Sequence, residues 1–214
     1  MNLTHLQQDA LAEMANISAS RAAKQLSVLL RDSIDITVPR VEIARVDELS
    51  ERVAPMAEDP GLVCVYQEFS GDLRGRLHLV FHDEGSQSLV QALVGEAVTV
   101  TDDDLRAYEH EAMTEIGNII ISTFAAMLAD LLGTEFRLGV PHYAEGRTEQ
   151  VLCGLPDPEQ GEDKGAIVIE TVLRAAEQDV SGALMVVLRL HSLEQLLQRL
   201  DGIVADYSEG IPMP

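Results

Sequence analysis

Residues 9–39 (DALAEMANISASRAAKQLSVLLRDSIDITVP) recur as residues 111–141 (EAMTEIGNIIISTFAAMLADLLGTEFRLGVP). Glu13 aligns with Glu115, Asn16 with Asn118 and Pro39 with Pro141, each pair 102 residues apart, with no gap across the stretch. An internal repeat on this scale requires a fold made of two related halves. Later segments correspond at looser offsets: EFSGDLRGRLHLVF (68–81) with DVSGALMVVLRL (179–190), and QSLVQALVG (87–95) with EQLLQRLDG (194–202). Each half therefore reads as a long helix, several strands and a short closing helix. The expected fold is α+β, one domain over residues 1–214, with halves at about 1–100 and 101–207 sharing a sheet and a frayed tail at 208–214.

Local signals place the elements. Thr4 with Gln7 forms a capping box ahead of the first helix; Thr101 with Asp104 resembles one ahead of the second, and Ser192 with Gln195 reads as one ahead of the last. Gly95 and Gly202 read as helix stops. Segments 62–69, 74–81, 165–174 and 181–190 have strand length and are rich in Val, Ile and Leu. Ser70-Gly71-Asp72 reads as the hairpin turn between the first two. Segments 34–46 and 135–143 read as strands interrupted by Pro39 and Pro141, which suits an edge or a bend. The Gly-, Pro- and acid-rich stretch 144–165 reads as an exposed loop.

At 100° per residue, Asp9, Glu13 and Asn16 line up on one side of the first helix. Leu11, Ser18, Ala22 and Leu29 lie opposite, with Ala15 and Leu26 beside them. In the second helix Glu111, Glu115, Asn118 and Ser122 form the same line, opposite Met113, Ile120, Phe124 and Leu131. Acids and amides on an amphipathic helix ordinarily just face solvent. Asn is nevertheless a poor residue for a helix interior, because its side chain competes for backbone hydrogen bonds. A solvated face is built more cheaply from Lys, Glu or Gln. That both copies keep Glu-x-x-Asn at one distance from one Pro points to use rather than chance.

Composition narrows the function. The chain of 214 residues carries 15 Lys and Arg against 36 Asp and Glu, a formal net charge of −21. Such a chain repels phosphate backbones and anionic membrane surfaces, so neither nucleic acid nor membrane is an expected partner. Cys64 and Cys153 sit in apolar runs and read as buried, reduced thiols. The N-terminus has no basic-then-apolar signal, and the longest uncharged apolar stretch, Ile119 to Ala129, is short of a bilayer span. A cytoplasmic location is expected. His78 and His82 fall in a strand and its following loop, where that spacing does not chelate, and Asp102-Asp103-Asp104 suits a first helical turn better than a metal. No Gly-rich phosphate loop, GxSxG or HExxH motif occurs.

The spacing Asp9-x3-Glu13-x2-Asn16-x22-Pro39 closely resembles the signature of the CheC family of chemotaxis proteins, shared with the related CheX and FliY. The second copy, Glu111-x3-Glu115-x2-Asn118-x22-Pro141, fits at three of four positions, and internal duplication is itself characteristic of CheC. The resemblance implies a hydrolase that removes the aspartyl phosphate of a phosphorylated CheY-like receiver domain. It implies that Asn16 and Asn118 orient the attacking water, while Glu13 and Glu115 pair with a lysine of the receiver. It also implies no cofactor of the chain's own: the receiver brings the phosphoryl group, an acidic cluster and Mg²⁺. The alternative is a non-catalytic module of the same fold that docks receivers or the deamidase CheD.

The chain departs from the family pattern in places. The family's first helix continues Asn-Ile-Gly-Ala-Gly-Asn-Ala; here it reads Asn16-Ile17-Ser18-Ala19-Ser20-Arg21-Ala22, and Ala15 replaces a Gly. Larger side chains would tighten or tilt that helix against its sheet, and Arg21 adds a positive charge beside the first site. Glu111 stands where Asp or Ser is usual. Because the second copy keeps the small Gly117 before Asn118, it is expected to be the stronger site.

Overall fold

The computed structural model describes residues 3–45, 48–49, 61–82, 85–87, 89–90, 102–147, 151, 164–175 and 178–208. The elements are α1 (His5–Leu30), β1 (Ile34–Arg45), β2 (Leu62–Gly71), β3 (Gly75–His82), α2 (Asp102–Leu132), β4 (Phe136–Leu138), β5 (His142–Gly146), β6 (Lys164–Ala175), β7 (Gln178–Arg189) and α3 (Leu190–Ser208). One antiparallel sheet takes the order β1-β6-β7-β3-β2-β4, with β5 also paired to β2.

The two halves interleave. β1 of the first half pairs with β6 of the second, while β4 and β5 of the second pair with β2 of the first. The antiparallel pair β3–β7 lies at the centre, so a pseudo-two-fold axis runs between those strands. Both long helices pack on the same face and contribute to one apolar cluster, with Leu11, Met14, Ala22 and Leu26 of α1 and Met113, Ile116, Ile121 and Leu128 of α2 all buried. A two-fold normal to the sheet makes α1 and α2 run in opposite directions. Burying each such leucine or isoleucine contributes about 2 kcal/mol relative to leaving it in water. By length and composition Tyr108–Leu132 could cross a bilayer, but 56% of its apolar window is buried against the sheet.

The prolines act as their positions require. β1 carries a register shift between Thr37 and Arg40, around Pro39, and the counterpart strand is broken into β4 and β5 around Pro141. Both lie at sheet edges, where a missing N–H leaves no ladder bond unmade. Thr4 caps α1 reciprocally: the Gln7 amide donates to Thr4 Oγ1 at 3.2 Å and the Thr4 amide to Gln7 Oε1 at 2.9 Å. Gln7 Nε2 then donates to Asp201 Oδ1 at 2.7 Å, tying α3 to the start of α1.

Several boundaries differ from expectation. α3 starts at Leu190, so Ser192 sits within its first turn, and Gln195 instead contacts His191 at 3.1 Å. Gly202 does not stop α3, because the face of Leu193, Leu196, Leu197 and Leu200 carries the helix onward. The hairpin reverses at Asp72-Leu73-Arg74, two residues beyond the expected turn; Gly71 still belongs to β2, where a Cβ would strike the Glu135 carbonyl. Residues 179–189 lie within β7 and correspond to β3, not to a whole hairpin, and Leu190 already begins α3. Leu29, expected on the apolar stripe, is 37% exposed. Residues 142–146 are strand and Val151 is buried, which shortens the expected loop at 144–165; the rest of that loop, Thr101, Gly95, Cys153 and residues 209–214 lie outside the described residues.

Candidate functional site

Glu13 and Asn16 are exposed on α1, one turn apart, and Glu115 is exposed on α2 with Asn118 half-buried beside it. The polar line of α1 faces away from the sheet, opposite buried residues of its own helix, whereas on α2 Glu115 is exposed and Asn118 lies at the boundary between helix and sheet. Among the described residues neither Glu13 nor Glu115 is ion-paired, and Asn16 has no hydrogen-bond partner. Because α1 and α2 run in opposite directions, the two pairs sit toward opposite ends of the helix layer rather than in one cleft. The second pair has an extra fixture. His110, at the entry to its segment, packs edge-on against Tyr143 of β5 with ring centroids 4.8 Å apart.

Below the pairs the two copies differ. Gly117 lies so close to β2 that a Cβ there would come within 2.5 Å of Val65 Cβ. The close approach brings Asn118 onto the strand, where Gln67 Nε2 donates to Asn118 Oδ1 at 2.8 Å. In α1 the counterpart of Gly117 is Ala15, which is buried and lines a small cleft of about 20 Å³ with Ser18, Ala19, Ala22 and Thr171. The buried Ser18 hydroxyl is satisfied within its own helix, donating to the Met14 carbonyl at 2.8 Å. The residues Ser18 and Ala15 thus fit without leaving a polar group unpaired.

Gln67 is the functional candidate that sequence reasoning missed. It is 1% exposed and lies in the helix-facing row Val63, Val65, Phe69. The available signal was its place: a Gln in the apolar phase of a strand.

Two titratable groups that burial perturbs strongly lie on the other face of the sheet, where Cys64 belongs to a second apolar cluster. Burial pushes the Cys64 thiol up to about 12, so it is not a nucleophile at neutral pH. Burial, helped by the nearby Arg76 charge, pulls His78 down to about 3. His78 stacks on Tyr66 at 5.8 Å between ring centroids. Among the described residues no three His, Cys, Asp or Glu side chains are grouped to hold a metal ion.

Comparison with known proteins agrees with this architecture. Residues 6–43 match the CheC-like family and residues 63–163 match the chemotaxis phosphatase CheX family. The chain is 26% identical over 199 residues to the CheY-P phosphatase CheC of Bacillus subtilis, covering 91% of this chain and 93% of that one. Its fold is similar to that of Thermotoga maritima FliY, with a TM-score of 0.74 and 21% identity over 95% of this chain and 100% of that chain. The FliM middle domain of H. pylori has the same fold at a TM-score of 0.59 and 12% identity, over 92% of this chain and 99% of that one.

Proposed function

We propose that this chain, which matches the CheC-like family over residues 6–43 and the chemotaxis phosphatase CheX family over residues 63–163, dephosphorylates the aspartyl phosphate of a CheY-like receiver domain at two sites, one on each long helix. The observation that carries the reading is the duplicated Glu/Asn pair, carried by two helices on one face of one sheet, with both glutamates exposed. The name of the Bacillus subtilis relative supports the choice of substrate.

An acyl phosphate is already activated, so the catalyst mainly has to place a water in line with the leaving oxygen. A carboxamide suits that task because it donates and accepts hydrogen bonds without titrating. Asn16 and Asn118 hold the water. Glu13 and Glu115, one turn away on the same faces, pair with a lysine of the receiver and fix its approach. The receiver brings the phosphoryl group and Mg²⁺, so no nucleophile of this chain is used.

The test is phosphate release from a phosphorylated receiver, with and without the protein. Release is expected to accelerate with wild type and to fall to the receiver's own rate with Asn16→Ala/Asn118→Ala. A double variant as active as wild type would refute the assignment. Binding of the receiver with no acceleration by wild type would establish the non-catalytic module instead.

A further inference from the structure

Asn118 and Asn16 occupy the same place in the repeat, yet their surroundings in the sheet differ. Strand register identifies the counterparts. Ile36 of β1 pairs with Leu173, and its repeat mate Leu138 of β4 pairs with Phe69, so Phe69 and Leu173 correspond. Glu42 pairs with Val168 and its mate Ala144 with Cys64, which gives the same correspondence along the strand. Two residues before Phe69 stands Gln67; two before Leu173 stands Thr171. The strand beneath α2 thus offers a long carboxamide where the strand beneath α1 offers a short hydroxyl.

We propose that Gln67 is a positioning residue for the site on α2, holding the Asn118 carboxamide in a single orientation that Asn16 must find by itself. The inference rests on the reading of Asn118 as the group that holds the water.

Three observations support it. Gln67 is buried in an apolar row, and its Oε1 has no partner among the described residues, a desolvation penalty that a Leu or Met there would avoid. Its Nε2 is committed to Asn118 Oδ1, which leaves the Asn118 Nδ2 hydrogens for the water oxygen. The bond also spans the halves. β2 comes from the first and α2 from the second, so the second site is assembled only when the strands interleave. Gly117 makes the reach possible, since Val65 leaves no room for a Cβ between helix and strand. In the first half the equivalent ground is Ala15 over a cleft lined by Thr171, and Asn16 stays exposed.

The test uses the full chain with one site silenced. In an Asn16→Ala background only the α2 site remains, and Gln67→Met should lower kcat about tenfold with KM for the phosphorylated receiver unchanged, because a buried residue does not touch the receiver. In an Asn118→Ala background the same substitution should no longer change kcat, the signature of a pair that acts together. Equal loss in both backgrounds, a rise in KM, or no loss beside an intact Asn118 would each overturn the proposal. Side-chain ¹⁵N relaxation of the two asparagines reads the same contact without any receiver. Asn118 should be ordered in the wild type and as mobile as Asn16 in Gln67→Met. An Asn118 unaffected by that substitution would overturn the proposal even if the chain released no phosphate. An ordered, Gln67-dependent Asn118 in a chain without activity would instead refute the phosphatase reading while leaving the contact standing.

Discussion

His78 sits on the far face of the sheet with Cys64 Sγ 3.9 Å from its Nδ1 and Tyr66 stacked beside it. Its folded pKa, about 3, lies below the ordinary histidine value of 6.5. Between those values the unfolded chain binds a proton that the folded chain refuses. This group's contribution to stability is therefore complete above pH 6.5 and is lost as pH falls toward 3. Chemical denaturation at pH 5 and pH 7 should show about 2 kcal/mol of loss from this group, and His78→Leu should flatten that part of the slope. An unchanged slope in the variant would mean that His78 is not buried as a neutral ring. The residues that face the solvent were the legible ones. Glu13, Asn16, Glu115 and Asn118 stand out because a repeat preserves them on a helix face. Gln67 was not legible, because its meaning comes from Asn118, 51 residues away in sequence, on a helix that descends onto β2.

The ends and seats of the two long helices show what an element can tolerate. α1 ends on Arg31 in the left-handed conformation, φ 54°, and α2 ends on Gly133 at φ 60°, its counterpart in the repeat. Arg pays a steric penalty there that Gly does not. Arg31→Gly should therefore stabilise the protein by about 1 kcal/mol in thermal or chemical unfolding, since Arg31 is exposed and caps nothing else. A loss of stability would show that the arginine side chain holds a contact that outweighs its strain. Gly117→Ala tests the opposite case. Its Cβ would meet Val65, and overpacking of that kind costs about 1–3 kcal/mol. The variant should also lose turnover at the second site, measured in the Asn16→Ala background, by lifting Asn118 off Gln67. Element type was readable from periodicity and length for the long helices and for β1, β2, β3, β6 and β7. Element ends were not: Gly202 resembles a stop, but four buried leucines on one face carry α3 past it.

At the scale of the whole molecule, the repeat predicted two halves around a shared sheet, and the sheet does contain both. What the repeat could not reveal is which copies pair. β1 lies on β6 and β4 with β5 on β2, so each half completes the other's sheet. Identical propensities on both copies leave that choice to long-range register, which no local pattern encodes. Net charge acts at this scale too. On the proposed function, the −21 on the chain would oppose the approach of an acidic receiver surface at long range, and the glutamates would recover attraction only on contact. Added salt should leave association with the phosphorylated receiver unchanged or modestly faster in stopped-flow mixing; a steep fall would require a basic partner face. In the proposed two-site reading, the opposite placement of the two Glu/Asn pairs gives each its own receiver. The most direct measurement of that claim is the dephosphorylation rate with wild type, Asn16→Ala, Asn118→Ala and the double variant, all confirmed folded. Two separate sites predict that each single variant keeps the other site's activity, that the two losses sum to the wild-type acceleration, and that Asn118→Ala loses the larger share. Complete loss in either single variant would contradict the two-site account.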